Sequence, residues 1–587
     1  MAKNTMTEST EDFDTNPRSV KRWLDMLPIA HIGETSRQLY TTVRDVNQQD
    51  EIPVKQLFKF LEGVAAPLNI ILPELHKHYV GKSLPLSKKR RKVADLYTQL
   101  LRQSILGYQQ VIARAIEVNR FGWKKIVTTS VHRIFHYSGL LLLNHRLLYQ
   151  PYQKGLWQQL YWMYQMVESY KLLNAKVDCS QWTSKKGTIA AEFKQLLLNS
   201  LLAPNLFRQQ ELEEVLANMD IWIEQISILD HREQGSDQIY AFTLDTDIPP
   251  GLMASNINVS ENPAIDVRYL NITPLLHYLN RVLTQAKPGV DVLQLAHRHT
   301  ISRRSLLLLL NNWGRPTSRD GERRLIQGQA EVAIGISAIH YVISEGRQEN
   351  PLMSQEQITV SSPDSTFSAQ TASQKLDSSL AAFGFTTDRD VQVDIWESAY
   401  FEPEPAQPSW TESIRMKVYS YLNAKVLNIS KGGFCIALPH DGVEHIQTSE
   451  LVAIRGKRGE WQLGEIRWLL CPSNAPIRAG IKKHSQEVLP AQLHVQSKLN
   501  QALPFKCLVG ENESGKVVFL PNLPFSLSDK HMLLEVNGTT RRFKLTEQLY
   551  ATPVGSAFYF EWHKKNDAAT DENAIATNAY ESIWAKL

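Results

Sequence analysis

The feature that most restricts the fold of this chain is a change of hydrophobic period partway along it. Through the first 230 residues apolar side chains recur at helical spacing, whereas after Asn312 they fall in short β-leaning runs separated by turn residues. Val20, Trp23, Leu24 and Leu27 follow Asn16-Pro17-Arg18-Ser19, a helix-opening sequence. Pro53 opens a second helix with Leu57, Phe58, Leu61 and Val64, which Pro67 is expected to punctuate. Ser87–Val118, Trp123–Leu148, Tyr152–Leu173 and Lys186–Leu202 read as further amphipathic helices, with a tight link at Leu148–Tyr152. Their apolar stripes are core. Gln238–Leu244 reads as one strand, followed by helices over Ile272–Thr284 and Val292–Asn312. A chain built this way is a multidomain α+β protein.

The second half carries the informative motifs. Asn428-Ile429-Ser430-Lys431-Gly432-Gly433 joins the expected strands Ser420–Leu427 and Phe434–Leu438. Asn and Ser bond their own backbone in turns, and Gly supplies backbone conformations closed to other residues. Upstream, Trp313-Gly314-Arg315-Pro316-Thr317-Ser318-Arg319-Asp320-Gly321-Glu322-Arg323-Arg324 holds two overlapping Arg-x-x-x-Arg spacings before the apolar run Leu325–Ile336. Downstream, Gly464-Glu465-Ile466-Arg467-Trp468 is followed by Arg478-Ala479-Gly480-Ile481.

These three elements, in this order, resemble the PilZ domain family, bacterial receptors for cyclic di-GMP. The resemblance covers about Arg315 to Glu487 and implies a six-stranded antiparallel β-barrel. It implies that Arg319 and Arg323 are the principal ligand-binding pair, with Arg315 and Arg324 assisting and Asn428, Ser430 and Gly433 completing the site. The chemistry is coherent with that assignment. A guanidinium offers paired planar donors to a phosphate or to the O6/N7 edge of guanine. Asn and Ser add hydrogen bonds, and Gly admits backbone close to the ligand. The segment Lys21–Pro28 also resembles the opening of large bacterial PilZ proteins.

The departure from the family is an insertion, residues 345–411, between the two motifs. It reads mostly as loop, with Ser361–Thr366, Ser373–Ser379 and Glu402–Pro408 rich in Ser and Pro, although Gln392–Trp396 has strand character. Long insertions add little closure entropy once their ends are held. The expected organisation is a disordered tail (1–18), a helical bundle or solenoid-like domain (19–230), and a strand with two helices (231–312). A PilZ-like barrel (313–490), a second small β module (496–564) and a mobile tail (565–587) follow. In the second module Phe505–Leu508, Val517–Leu520, Met532–Val536, Arg541–Leu545 and Phe558–Trp562 are expected strands. Asn537-Gly538 is a strong hairpin turn.

Composition narrows the functional class. With 64 basic and 60 acidic residues the net charge is +4, so nucleic acid is not an expected partner. The four cysteines, Cys179, Cys435, Cys471 and Cys507, are too scattered for a disulfide framework or a cysteine metal site. The acidic, Thr-rich start lacks the layout of a signal peptide, and no apolar run spans a bilayer, so cytoplasmic location is expected. Gly510–Val517 fits the Gly and Lys positions of a phosphate loop, but Val517 replaces the required hydroxyl residue, so a hairpin is expected. His76/His78 and His297/His299 are two apart, a poor helical spacing for a metal. Lys88–Lys92 reads as a solvated basic face. No catalytic constellation with local spacing is present, and neither a cofactor nor a bound metal is expected. The expectation is a non-enzymatic signalling receptor or adaptor. Cyclic di-GMP would change its domain arrangement and how its helical half engages a protein partner. The rivals are a scaffold with a ligand-less barrel and a nucleic-acid regulator using Lys88–Lys92 and Arg315–Arg324.

Overall fold

The computed structural model describes residues 13–563 except for a few single positions and pairs and several longer segments. Those segments are 119–121, 183–186, 204–206, 232–238, 253–265, 315–323, 346–420, 496–502, 522–531 and 552–554. The chain divides into two compact units.

The first unit begins with α1 (Pro17–Asp25), capped by Asn16 Oδ1, which accepts from Arg18 N at 3.1 Å, with Pro17 at the first helical position. Then come α2 (Ile32–Asn47), α3 (Val54–Lys77), α4 (Lys88–Val118), α5 (Trp123–Leu147), α6 (Leu156–Ser169), α7 (Ile189–Leu201), α8 (Gln209–Ala217) and α9 (Met219–Trp222). Pro67 does not punctuate α3, which runs through both Pro67 and Pro73. A proline costs a helix interior about 3 kcal/mol. Here the apolar stripe Leu57, Leu61, Val64, Leu68, Ile71, Leu72 and Leu75 is buried, and at roughly 1.5–3 kcal/mol per large side chain that burial outweighs two such defects. The helix expected from Tyr152 starts later, at Leu156. Asp247 reaches across the fold to accept from Gly155 N (2.5 Å) and Trp157 N (2.9 Å), capping α6.

A buried polar knot ties this bundle together. Arg133, 1% exposed, donates from Nε and Nη2 to the two oxygens of Glu62 at 3.0 Å each, and from Nη2 to Asp178 O at 2.8 Å. Its guanidinium lies 4.0 Å from the ring centre of Trp182, so α3, α5 and the segment before α7 meet at one cation.

The strand expected at Gln238–Leu244 is β2 (Ile239–Thr243), one of four in an antiparallel sheet with β1 (Ser227–Leu229), β3 (Gly251–Leu252) and β4 (Val267–Asn271), in the order β1-β4-β2-β3. Helix α10 (Thr273–Gln285) follows. The helix expected at Val292–Asn312 is corrected. Its first half is a hairpin, β5 (Val292–Gln294) and β6 (Thr300–Ser302), and only Arg303–Gly314 forms α11. Ser302 Oγ accepts from Ser305 N at 3.2 Å, an N-cap that starts the helix there. Asn218 holds the hairpin by donating to Thr300 O at 2.9 Å, a contact from the bundle that local periodicity does not contain.

The second unit holds two closed six-stranded barrels. The first comprises β7 (Arg324–Ile334), β8 (Leu422–Ser430), β9 (Gly433–Leu438), β10 (Leu451–Gly456), β11 (Gln462–Leu470) and β12 (Ile477–Ser485). The unanticipated helix α12 (Ile336–Glu345) follows β7 directly. The second barrel comprises β13 (Val488–Val495), β14 (Leu503–Asn512), β15 (Gly515–Pro521), β16 (Met532–Val536), β17 (Thr539–Ala551) and β18 (Gly555–Trp562). Asn537 and Gly538 have φ of 53° and 72°, as the two-residue turn between β16 and β17 requires. The expected strand Gln392–Trp396, the rest of the insertion beyond Glu345, and the tail 565–587 lie outside the described residues.

Candidate functional site

The two halves of the expected site depend on whether β7 and β8 pair across the insertion. They do. Arg324 stands opposite Ile429 and Leu325 opposite Asn428, so the strand that follows the arginine segment runs beside the Asn428–Gly433 turn. The register continues across the barrel, with Asn428 opposite Cys435, Cys435 opposite Gly480, and Gly480 opposite Trp468. Leu325, Asn428, Cys435, Gly480 and Trp468 therefore form one row over five strands. At about 4.8 Å between strands the row spans roughly 19 Å.

Alternation shows which side of the barrel this is. Val426, Ile436, Ala479 and Ile481 are buried, while Lys425, Arg478 and Lys482, each one residue out of phase with them, are exposed. The row thus belongs to the outer face, among basic side chains, although Cys435 within it is buried and Gly480 is covered by the Trp468 indole. Lys431 at the turn is exposed as well. The nearby carboxylate is withdrawn: Glu465 is 2% exposed, at 3.1 Å from His484 Nε2 and 3.2 Å from Arg467 Nη1. Burial pushes its carboxyl up, but the His484 hydrogen bond and the Arg467 charge outweigh that and hold it below the ordinary value.

Gly433 is required by close packing. A Cβ there would lie 1.9 Å from Ile481 O, so the turn rests directly on β12, and Lys483 N donates to Gly432 O at 2.9 Å. Ser430 Oγ reaches Gly433 O only at 3.4 Å, a weak bond that leaves the hydroxyl suited to another acceptor or donor. Gly480 is required for a different reason. A Cβ on it would fall 1.9 Å from Trp468 Nε1, because the indole lies over the glycine. Trp468 is 37% exposed, a flat aromatic surface at the end of the row.

The structure brings Arg324, Asn428, Ser430 and Gly433 together. Arg315, Arg319 and Arg323 lie outside the described residues; they belong to the segment joining α11 to β7, and Arg323 is the immediate chain neighbour of Arg324. Sequence reasoning treated Trp468 and Gly480 as a strand pattern and did not assign Arg478 or Lys482. The signal for Arg478, Gly480 and Lys482 was their alternation along β12, which places the three on one strand face once the barrel's inside is known, whereas Trp468 joins them only through its pairing with Gly480 from β11. Among the described residues no group of His, Cys, Asp and Glu is placed to hold a metal, and no disulfide joins the four cysteines. No helix among them is long and apolar enough to cross a membrane.

Comparison with known proteins gives a consistent answer. Residues 18–233 match the family described as the N-terminal domain of the cyclic-di-GMP receptor FimW, and residues 239–487 match its middle PilZ domain. The cyclic-di-GMP receptor FimW of Pseudomonas aeruginosa is 23% identical over 600 aligned residues, covering 98% of this chain and 96% of that protein. No solved structure gives a significant match.

Proposed function

The chain belongs to the PilZ domain family, in the multidomain form whose helical N-terminal half precedes the barrel, and from that premise we propose that it is a cytoplasmic, non-enzymatic receptor for cyclic di-GMP. The observation that carries the reading is the β7–β8 register, which sets Arg324 opposite Ile429 and Leu325 opposite Asn428 despite the insertion.

The ligand presents two phosphates and two guanines, and the face offers a complement for each. Arg319 and Arg323, assisted by Arg315 and Arg324, supply paired donors for phosphate and for guanine O6/N7. Asn428 and Ser430 bond base or phosphate, and Gly433 keeps the turn low enough on β12 for the ligand to approach. Trp468, seated over Gly480, offers a stacking surface for a base, an interaction worth about 1–3 kcal/mol per base in other nucleotide sites. Lys482 and Arg478 add positive charge to the same face. The arginines belong to the segment that joins α11, the last helix of the helical unit, to β7, so ligand contacts made there are read out as a change in domain arrangement and in engagement of a protein partner. The size of that response is set by the difference in ligand affinity between the two arrangements.

Calorimetric titration with cyclic di-GMP, with Arg319→Ala/Arg323→Ala as the control, tests the reading. Saturable binding by the wild type and its loss in the double variant is the expected result. No binding by the wild type favours a scaffold with a ligand-less barrel, and binding that survives the double substitution removes the arginines from the site. Strongly salt-dependent binding of DNA or RNA that needs Lys88–Lys92 as well would instead favour a nucleic-acid regulator.

A further inference from the structure

The second barrel repeats the first strand for strand. The first closes in the order β7-β8-β9-β12-β11-β10 and the second in the order β13-β14-β15-β18-β17-β16, so each strand of one has a counterpart at the same place in the other. The hairpins align as well. Ser430 pairs with Gly433 at the tip of β8–β9, and Asn512 pairs with Gly515 at the tip of β14–β15. Counting from the tips, the row Asn428–Cys435–Gly480 corresponds to Gly510–Val517–Tyr559, and the row Lys425–Ala437–Arg478 corresponds to Leu508–Phe519–Ala557.

Five of the six positions along these rows become apolar or aromatic: Cys435, Lys425, Ala437, Arg478 and Gly480 of the first barrel correspond to Val517, Leu508, Phe519, Ala557 and Tyr559, while Asn428 corresponds to Gly510. That face is not open. Val488, Leu508, Val517, Phe519 and Ala557 form one apolar cluster with Ile339 and Ile343 of α12, with Ile336, Val342 and Tyr559 packed against it. Ile336, Ile339, Val342 and Ile343 are the single apolar stripe of that helix. Ala333, Leu451, Ala453 and Leu463 of the first barrel belong to the same cluster. The turn of the second barrel is also closed on itself: Asn512 Oδ1 accepts from Gly515 N at 3.1 Å, and Asn512 Nδ2 donates to Tyr559 Oη at 3.3 Å. Finally, no arginine segment precedes β13. Only Gln486 and Glu487 separate it from β12.

We propose that the second barrel is a duplicate of the ligand-binding barrel whose ligand face has been converted into a seat for one amphipathic helix, α12 of the same chain. It follows that the receptor has ligand-binding residues in the first barrel alone, and that the helix leading into the insertion is anchored at the place where a dinucleotide would lie. The seat is defined by packing and does not depend on the ligand reading; only the count of ligand sites rests on it.

The seat is tested without ligand. In the full-length wild type, hydrogen exchange should find the amides of α12 as slow as those of β14 and β15; exchange as fast as that of a solvent-exposed helix overturns the proposal. The full-length variant Ile339→Asp/Ile343→Asp should lose protection in α12 while β14 and β15 keep theirs. It should then bind a fluorescein-labelled synthetic peptide of residues 335–346, which the wild type does not bind. A variant that stays folded but takes up no peptide overturns it, and if the variant does not fold, the wild-type exchange decides. The site count is tested with Asn428→Ala/Ser430→Ala/Arg324→Ala and cyclic di-GMP. Complete loss of binding is expected. Residual binding that Tyr559→Ala removes would place a ligand on the second barrel and overturn the proposal.

Discussion

Glu450 sits where the first barrel hands over to α12, and replacing it should change how the barrel's stability depends on pH. Its backbone is part of the barrel: Ile466 N donates to Glu450 O at 2.9 Å, and the next residue, Leu451, accepts from Gly335 N at 2.8 Å. Gly335 has φ of 86°, and Glu450 Oε1 lies 3.1 Å from where a Cβ on Gly335 would be. The other oxygen, Oε2, has no hydrogen-bond partner among the described residues. Burial pushes the carboxyl from 4.5 up to about 7, against a hydrogen bond with the Gln447 backbone that pulls it down. The direction of the consequence follows. Below pH 4.5 the acid is protonated folded and unfolded and costs nothing; between 4.5 and about 7 the unfolded chain ionises while the fold resists, so stability falls as pH rises. Above both values the cost is complete, at about 3 kcal/mol for a gap of this size. Glu450→Gln removes the titration but carries a fixed cost of about 1–2 kcal/mol for an amide without a partner. That fixed cost cancels when two pH values are compared. The stability of the variant relative to wild type should therefore rise by about 2–3 kcal/mol between pH 5 and pH 8. The assay is the opening free energy of β10 and β11 amides by native-state hydrogen exchange, corrected for intrinsic rates, on both proteins at both pH values. A difference between variant and wild type that does not change with pH would refute the reasoning, because the carboxyl would then be titrating at its ordinary value.

Three further outcomes are expected. Gly433→Ala drives a Cβ to 1.9 Å from Ile481 O and should destabilise the barrel by about 1–3 kcal/mol with loss of ligand binding, whereas Gly432→Ala, with nothing within 4 Å, should stay within about 0.5 kcal/mol of wild type in urea unfolding. Gly480→Val should displace the Trp468 indole and weaken cyclic di-GMP binding about tenfold or more in titration, while Trp468→Phe stays within about threefold; wild-type affinity in Gly480→Val would remove the indole from the site. Arg133→Met leaves Glu62 without the cation that holds it and should cost the helical unit about 3–5 kcal/mol in chemical denaturation, a loss that Glu62→Gln in the same chain should partly relieve.

Much of the local structure was legible because its causes are local. Asn16-Pro17 caps and opens α1, Asn537-Gly538 makes the expected turn, and Met532–Val536 is a strand with the boundaries its composition indicates. The exceptions have tertiary causes. Helix α3 persists through Pro67 because its buried stripe outweighs the defect, and Thr300–Ser302 is a strand because Asn218 holds its backbone. Strand β10 and helix α12 were missed: α12 is short and apolar on one face, with no cap signal that distinguishes it from the β-leaning run before it. In the candidate site, Asn428, Ser430, Gly433 and Arg324 were nameable from motif order, while Trp468 and Gly480 acquired a role only when the register stacked one over the other.

By itself, then, the sequence determined the order of helical and β modules, the turn at Asn428–Gly433 and the kind of chemistry its arginines can perform, because propensity, capping and side-chain charge act over a few residues. Only the tertiary structure decided that β7 and β8 meet across the insertion, that Gly433 and Gly480 are small because β12 and an indole press on them, and that α12 fills the second barrel's equivalent face. Those are contacts between segments distant in the chain, and they are set by which closed barrel buries the most apolar surface, a quantity no local window contains.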